Sequence, residues 1–194
     1  MIAGPGAPRL RRLRDCVRAD LRVLFVGINP GIRSATIGHH FAGYSNRFWK
    51  LLHESGVVPE PIGTEDDRRL PEWGFGITNL VARATPGIDT LRPDEYAAGL
   101  RRLRRKVRRW KPTLVVFVGV SLFRAIFERD RKRQRLVLGL QEDTFEGARV
   151  FVLPNPSGRN ANFSYAEMLD AFKSLAECIR GSRGSRGSRG ARGS

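Results

Sequence analysis

Val23 to Val26 is an unbroken apolar run, short enough to be a buried strand, and it is cut off at once by Gly27-Ile28-Asn29-Pro30-Gly31. Proline has no N–H for a ladder and glycine reaches backbone angles that other residues avoid, so the strand must end here and the chain must turn. Asn29 is thereby set at the carboxyl end of a buried strand. In open α/β sheets that edge is where ligand sites form. The glycines also remove Cβ atoms where a ligand would approach the backbone.

The rest of the chain repeats this unit. Gly76 to Leu80, Leu114 to Val118 and Arg149 to Leu153 read as further strands, with Val137 to Leu140 and Thr144 to Phe145 weaker. Between them lie helical patterns. Asn46 caps one that runs to about Ser55 and stops at Gly56. Pro93, Asp94 and Glu95 open a second, whose apolar face is Tyr96, Leu100, Leu103, Val107 and Trp110. Leu122 to Phe127 and Tyr165 to Arg180 supply two more. Alternating strands and helices predict a three-layer α/β/α sandwich around a mostly parallel sheet of four or five strands, with Leu114 to Val118 central and buried on both faces. Residues 32–45 and 57–75 read as loops, the second with a helical turn near Glu65 to Leu70.

The domain spans residues 21–180. Residues 1–20 form a basic arm, with a short helix expected from about Arg9. Residues 181–194, a Gly/Ser/Arg repeat, lack the apolar side chains that would offset the entropy of ordering, and are expected to be disordered. No apolar run approaches the roughly 18 residues that span a bilayer, and no apolar segment follows the basic N-terminus as a secretory signal requires. Two cysteines, Cys16 and Cys178, are too few for a disulfide scaffold or a four-cysteine cluster. The three histidines lack cysteines at zinc spacing, so neither metal nor cofactor is expected. A reducing compartment fits, and no membrane partner is expected.

The net charge is +16, from 35 basic and 19 acidic residues, which favours a polyanionic partner. Much of it sits on Arg101, Arg102, Arg104, Arg105, Lys106, Arg108 and Arg109. These occupy the polar side of the second helix and read first as its solvated outer face. The arm's arginines are either solvated or close to phosphates.

Four segments in order carry a resemblance: Asn29 with Gly38-His39-His40-Phe41 and Asn46-Arg47-Phe48-Trp49; Gly76-Ile77-Thr78-Asn79 with Thr85-Pro86-Gly87; Val115 to Gly119; and Leu153-Pro154-Asn155-Pro156-Ser157-Gly158. Together they resemble the mismatch-specific uracil-DNA and thymine-DNA glycosylases, a branch of the uracil-DNA glycosylase superfamily, over roughly residues 20–180. The resemblance implies a monofunctional enzyme of base excision repair. Such an enzyme flips uracil or thymine mispaired with guanine out of double-stranded DNA and hydrolyses its N-glycosidic bond. It implies that Asn29 positions the attacking water. Gly27, Ile28, Gly31, His39, His40, Phe41, Thr78, Asn79 and Ser157 would bind the substrate, with Phe41 stacking on the base. Gly158, Arg159, Asn160 and Asn162 would meet the duplex, with Arg159 as the wedge and either asparagine reading the widowed guanine. Asn79 and His39-His40 look like the thymine-active branch, whereas the loop bearing Arg159 is shorter than in that branch.

The chemistry agrees with this. An asparagine does not ionise and is a poor base, but its carbonyl can orient a water. That is enough where the leaving group does most of the work, as when uracil or thymine departs as a delocalised anion. The alternative is a DNA-binding protein on the same scaffold with weak catalysis. A nucleotide-binding α/β protein would need a glycine-rich phosphate loop, which is absent from the sequence. A monomer is expected, located in the cytoplasm with the nucleoid if bacterial and in the nucleus if eukaryotic.

Overall fold

The computed structural model describes residue 10, residues 12–127 and residues 138–187. The outer parts of the basic arm, the basic stretch at 129–135 and the end of the tail at 188–194 lie outside these. Five strands form one sheet: β1 (Val23–Gly27), β2 (Phe75–Asn79), β3 (Leu114–Val118), β4 (Gly139–Phe145) and β5 (Ala148–Leu153). Their order is β2-β1-β3-β5-β4, parallel throughout except for the antiparallel β4/β5 pair. The two weak strand signals after residue 137 are one strand, β4, with a register shift between Leu140 and Thr144. Among the described residues, five α-helices connect or close the sheet: α1 (Ile32–Ile37), α2 (Phe48–Glu54), α3 (Pro93–Trp110), α4 (Val120–Phe127) and α5 (Tyr165–Gly187).

The period-two alternation of each strand builds two separate cores. Val23 and Phe25 of β1, with Leu114, Val116 and Val118 of β3, face α2 and α5 through Phe48, Leu51, Leu52, Phe172 and Leu175. Leu24, Val26, Val115 and Phe117 face α3 and α4 through Leu103, Val107, Leu122 and Phe123. Every residue of β1 and β3 is buried, as their continuous apolar sequences require. The chain leaves β1 for β2 on one side and later returns as β3 on the other. The strand order therefore reverses beside β1, and the crevice at its carboxyl end is the switch point at which such sheets bind ligands.

Three local expectations are corrected. The loop after β1 contains α1, whose last turn closes on Gly38 in the left-handed conformation (φ 84°). The arm is not helical at residues 12–18. β2 is an outer strand, and its free backbone groups at Ile77 take the arm as partner: Cys16 N–H donates to the Ile77 carbonyl at 3.0 Å and Ile77 N–H to the Cys16 carbonyl at 2.8 Å. The arm packs so closely that a Cβ at Gly76 would lie 2.9 Å from both Val17 and Leu21. Finally, α5 continues through Gly187, so the first seven residues of the repeat at 181–194 are helical. Ser182 anchors them: its hydroxyl donates to the Cys178 carbonyl at 2.7 Å and accepts from the Arg149 guanidinium.

The arginines of α3 are partly paired: Arg104 and Arg108 with Glu146, and Lys106 with Asp15 of the arm. Arg101, Arg105 and Arg109 are exposed, and Arg102 is half-buried.

Burial, with the negative charge of Asp67 beside it, pushes the Cys16 thiol up to about 11. A docked arm therefore keeps Cys16 as an unreactive thiol. With iodoacetamide at pH 8, Cys16 is expected to resist alkylation in the native protein and to react on denaturation, read by mass spectrometry of the peptide.

Candidate active site

Asn29 leaves β1 with its side chain already committed. Its Nδ2 lies 3.1 Å from the Pro30 carbonyl, 3.2 Å from the Arg83 carbonyl and 2.8 Å from Thr85 Oγ1. Carbonyls only accept, so the amide can have only one orientation. Oδ1 accepts no hydrogen bond from the described residues and is not among the buried unpartnered atoms, so it is the face presented to solvent. Thr85 passes its own proton to the Gly87 carbonyl at 2.5 Å and is left as an acceptor toward Asn29. The Arg83 carbonyl is fixed in turn, because the Arg83 guanidinium forks onto Glu95 at 2.7 and 2.8 Å. Hydrogen bonds from Arg83 and from the Arg92 backbone hold the Glu95 carboxyl down at about 2. Thr85 belongs to the Thr-Pro-Gly segment already singled out. Arg83 and Glu95 carried no signal, since any surface ion pair looks alike in a sequence.

Gly27, Phe41 and Asn79 converge. A Cβ on Gly27 would lie 2.7 Å from Asn79 Oδ1 and 3.6 Å from the Phe41 ring. Parallel pairing sets Gly27 against Asn79 in register. The absent side chain therefore makes the space between a ring and an amide. Phe41 stacks on Phe48 with centroids 4.0 Å apart and planes 21° apart, and remains half-buried.

Phe41 also sits at φ 50°, which costs a bulky residue on the order of 1–3 kcal/mol. Its neighbours hold it there. Ala42 N–H donates to Ser34 Oγ at 3.0 Å, the His40 carbonyl accepts from the Trp49 indole at 3.1 Å, and His40 N–H donates to Asp67 Oδ2 at 3.0 Å. Asp67, 2% exposed, also takes Nδ1 of His39 on Oδ1 and Nδ1 of His40 on Oδ2, each at 3.0 Å. The carboxylate thus fixes the loop that carries Phe41. Burial pushes its pKa up, but the hydrogen bonds from His40 and His39 more than reverse this, so it lies below the ordinary carboxylate range. Asp67 was not among the expected residues. It lies far along the chain in a 3-10 helix (Thr64–Trp73), and an acidic loop residue gives no sign of being buried.

Ile28 is buried in the α3/α4 core, on the opposite side of β1 from Phe41. Thr78 is fully buried, donates to Asp15 at 2.5 Å and accepts from Lys106 at 2.8 Å, so its hydroxyl is spent on the arm and α3. His39 and His40 are bound to Asp67 through Nδ1. Ile28 and Thr78 thus commit their side chains to the α3/α4 core and to the arm, and His39 and His40 commit Nδ1 to Asp67. Gly31 starts α1 with open space around its Cα.

Ser157, Gly158, Arg159, Asn160 and Asn162 form one ordered loop. Ser157 N–H donates to Asn155 Oδ1 at 3.1 Å, Asn160 Nδ2 to the Asn155 carbonyl at 2.9 Å, and Asn162 N–H to Asn160 Oδ1 at 3.1 Å. Asn160 is thereby engaged within the loop, while the side chains of Arg159 and Asn162 are exposed. Ser157 pairs with Asn46, and Arg47 N–H donates to the Pro156 carbonyl at 2.9 Å, which stitches the loop to the start of α2.

Phe41 and Asn79 thus stand about Gly27, with the locked amide of Asn29 just beyond the end of the same strand. The family behind that geometry is equally plain. A model of the uracil DNA glycosylase superfamily matches residues 15–177, and the chain belongs to that superfamily. The fold is also that of a candidate uracil DNA glycosylase from Methanosarcina acetivorans solved by solution NMR, with a TM-score of 0.59 at 16% identity over 88% of this chain and 98% of that one. Membership supports a DNA glycosylase as the function.

The depressed Asp67 carboxyl fixes the sign of a pH effect. Its stabilisation is complete above the unfolded carboxylate pKa of about 3.9 and is lost as the pH falls through the lower folded value. At pH 7 Asp67→Ala is expected to lower the unfolding free energy by about 3 kcal/mol. Urea titrations should show this difference narrowing below about pH 4.

Proposed function

We propose that the protein is a monofunctional glycosylase that acts on uracil and thymine mispaired with guanine in duplex DNA, as a monomer, leaving an abasic site. The observation that carries this reading is the amide of Asn29. Its donor side is fully occupied and its carbonyl is turned outward. That group can accept one hydrogen bond from a water and aim its oxygen at C1′ of a flipped nucleotide. It cannot take the proton. The bond must therefore break by departure of the base as an anion, which suits uracil and thymine.

The flipped base would enter between Phe41 and Asn79. Phe41 offers a ring face backed by Phe48, and such stacking is worth about 1–3 kcal/mol per base. The Asn79 amide offers a donor and an acceptor together, which matches a pyrimidine O4 and N3–H. Flipping costs a few kcal/mol, and less at a mispair whose pairing is already weak. Arg159, exposed on a loop stiffened by its own asparagines, would fill the gap in the stack.

Asn29→Ala is expected to reduce single-turnover release of uracil from a G·U duplex by at least about 100-fold. Duplex binding should stay within a few-fold. Near-wild-type release would remove Asn29 from the chemistry, and release by neither protein would favour a binding protein on a glycosylase scaffold. Arg159→Ala is expected to cost about 1–3 kcal/mol of transition-state stabilisation, and more for G·T than for G·U, because the thymine methyl tightens the fit. Equal rates for mutant and wild type on both duplexes would exclude the wedge.

A further inference from the structure

An aromatic ring left almost wholly in water is unusual in a folded chain. Tyr44 is 90% exposed, well beyond the 38% of Ile32 and Ile37 at the two ends of α1. Its ring is nevertheless held. The Arg33 guanidinium lies over it at 3.9 Å from the centroid. Arg33 makes no ion pair among the described residues, and its Nε is buried without a hydrogen-bond partner. The cation is therefore placed against the ring by packing, and it leaves the ring's other face open.

Position gives the pair a meaning. Ser45, the next residue, touches the wedge loop: a Cβ on Gly158 would lie 2.5 Å from Ser45 Cβ and 2.7 Å from the Ser45 carbonyl oxygen. Asn46 pairs with Ser157 in a β-bridge. The backbones that carry Tyr44 and Arg159 are thus in direct contact, and both side chains emerge exposed. Gly158 is required for this contact, because any side chain there would separate the loops.

Extruding one nucleotide uncovers the faces of its neighbours and of the base it was paired with. We infer that Tyr44, backed by Arg33, is a stacking platform for one nucleobase uncovered by flipping, acting beside Arg159 and outside the pocket of Phe41. The inference rests on the base-flipping reading above. The ring supplies a flat face that any base fits, and the guanidinium behind it favours the polyanionic strand.

The test uses the full chain and a duplex with a G·U mispair in which the uridine carries a 2′-fluorine, which slows hydrolysis so that binding is read alone. Tyr44→Ala should weaken binding about tenfold, within the 5- to 150-fold range of one stacked base. Tyr44→Phe and Tyr44→Trp should bind as the wild type does. A 2-aminopurine placed next to the mispair should be more fluorescent with Tyr44→Ala than with wild type, because that base has lost its cover. The slope of log affinity against log salt should not change, since no phosphate contact is removed. Unchanged affinity for Tyr44→Ala overturns the inference. So does a Tyr44→Phe variant as weak as Tyr44→Ala, which would assign the contact to the hydroxyl, or a slope reduced by about one unit, which would assign it to a phosphate. Wild-type release of uracil from the unfluorinated duplex is measured alongside. Its failure would count against the glycosylase reading, whereas the platform fails on the binding data alone. The exposure of Tyr44 makes loss of folding no explanation for the result.

Discussion

A carboxylate removed from water must be surrounded by donors, and the loop that carries Phe41 depends on how this chain meets that requirement at Asp67. Two imidazoles and a backbone N–H converge on it from His39 and His40. Those donors belong to the two residues immediately before Phe41. The need to satisfy one buried charge therefore dictates the path of the chain into the stacking residue. It also supplies what keeps Phe41 in a left-handed conformation that the residue would not adopt alone. The strain is local and its support comes from a segment distant in sequence.

The same segment reaches the arm. The Cys16 thiol donates to the Asp67 carbonyl at 3.0 Å, and Asp15 binds Thr78, the residue before Asn79. The arm thus touches the supports of both Phe41, through Asp67, and Asn79, through Thr78. Its place on the edge of β2 makes it part of the domain. This agrees with the start of the superfamily match at residue 15. The sequence-based boundary at residue 20 rests on arginine-rich composition and on the span of the resemblance, neither of which registers the ordinary Asp and Cys that anchor the arm.

The parts of the fold legible in the sequence are those where one residue type has one physical outcome. Four apolar residues ending in Gly27 and Pro30 could only be a buried strand and a turn. Leu114–Val118 could only be central, and Asn46 Oδ1 accepts from Phe48 N–H at 2.9 Å just ahead of α2, although the capping position itself is Arg47. Among the candidate residues, the structure brings Phe41 and Asn79 together against Gly27, and Asn29 stands just past the end of β1. What stayed hidden depends on long-range pairing. Thr78 and His40 are polar residues beside a pocket, but strand alternation and the Asp67 charge turn their side chains elsewhere. The helix at 181–187 was hidden for a similar reason. Composition describes the repeat, but Arg149, a remote residue, meets its first serine.

A neutral amide has one means of acting on a water, which is geometry. An ionisable base can be tuned by its surroundings, because a shifted pKa changes how strongly it pulls a proton. Asn29 has no such adjustment. In the role proposed for it, an amide rotated by half a turn would present a donor where an acceptor is needed. The structure removes that freedom with three acceptors on one nitrogen, two of them carbonyls that cannot exchange roles. The Arg83–Glu95 pair, on the surface and of little worth to stability in itself, then has a purpose: it holds one of those carbonyls. A site that depends on a non-ionising residue must place its precision in the surrounding backbone, and here that backbone is the loop from Arg83 to Gly87.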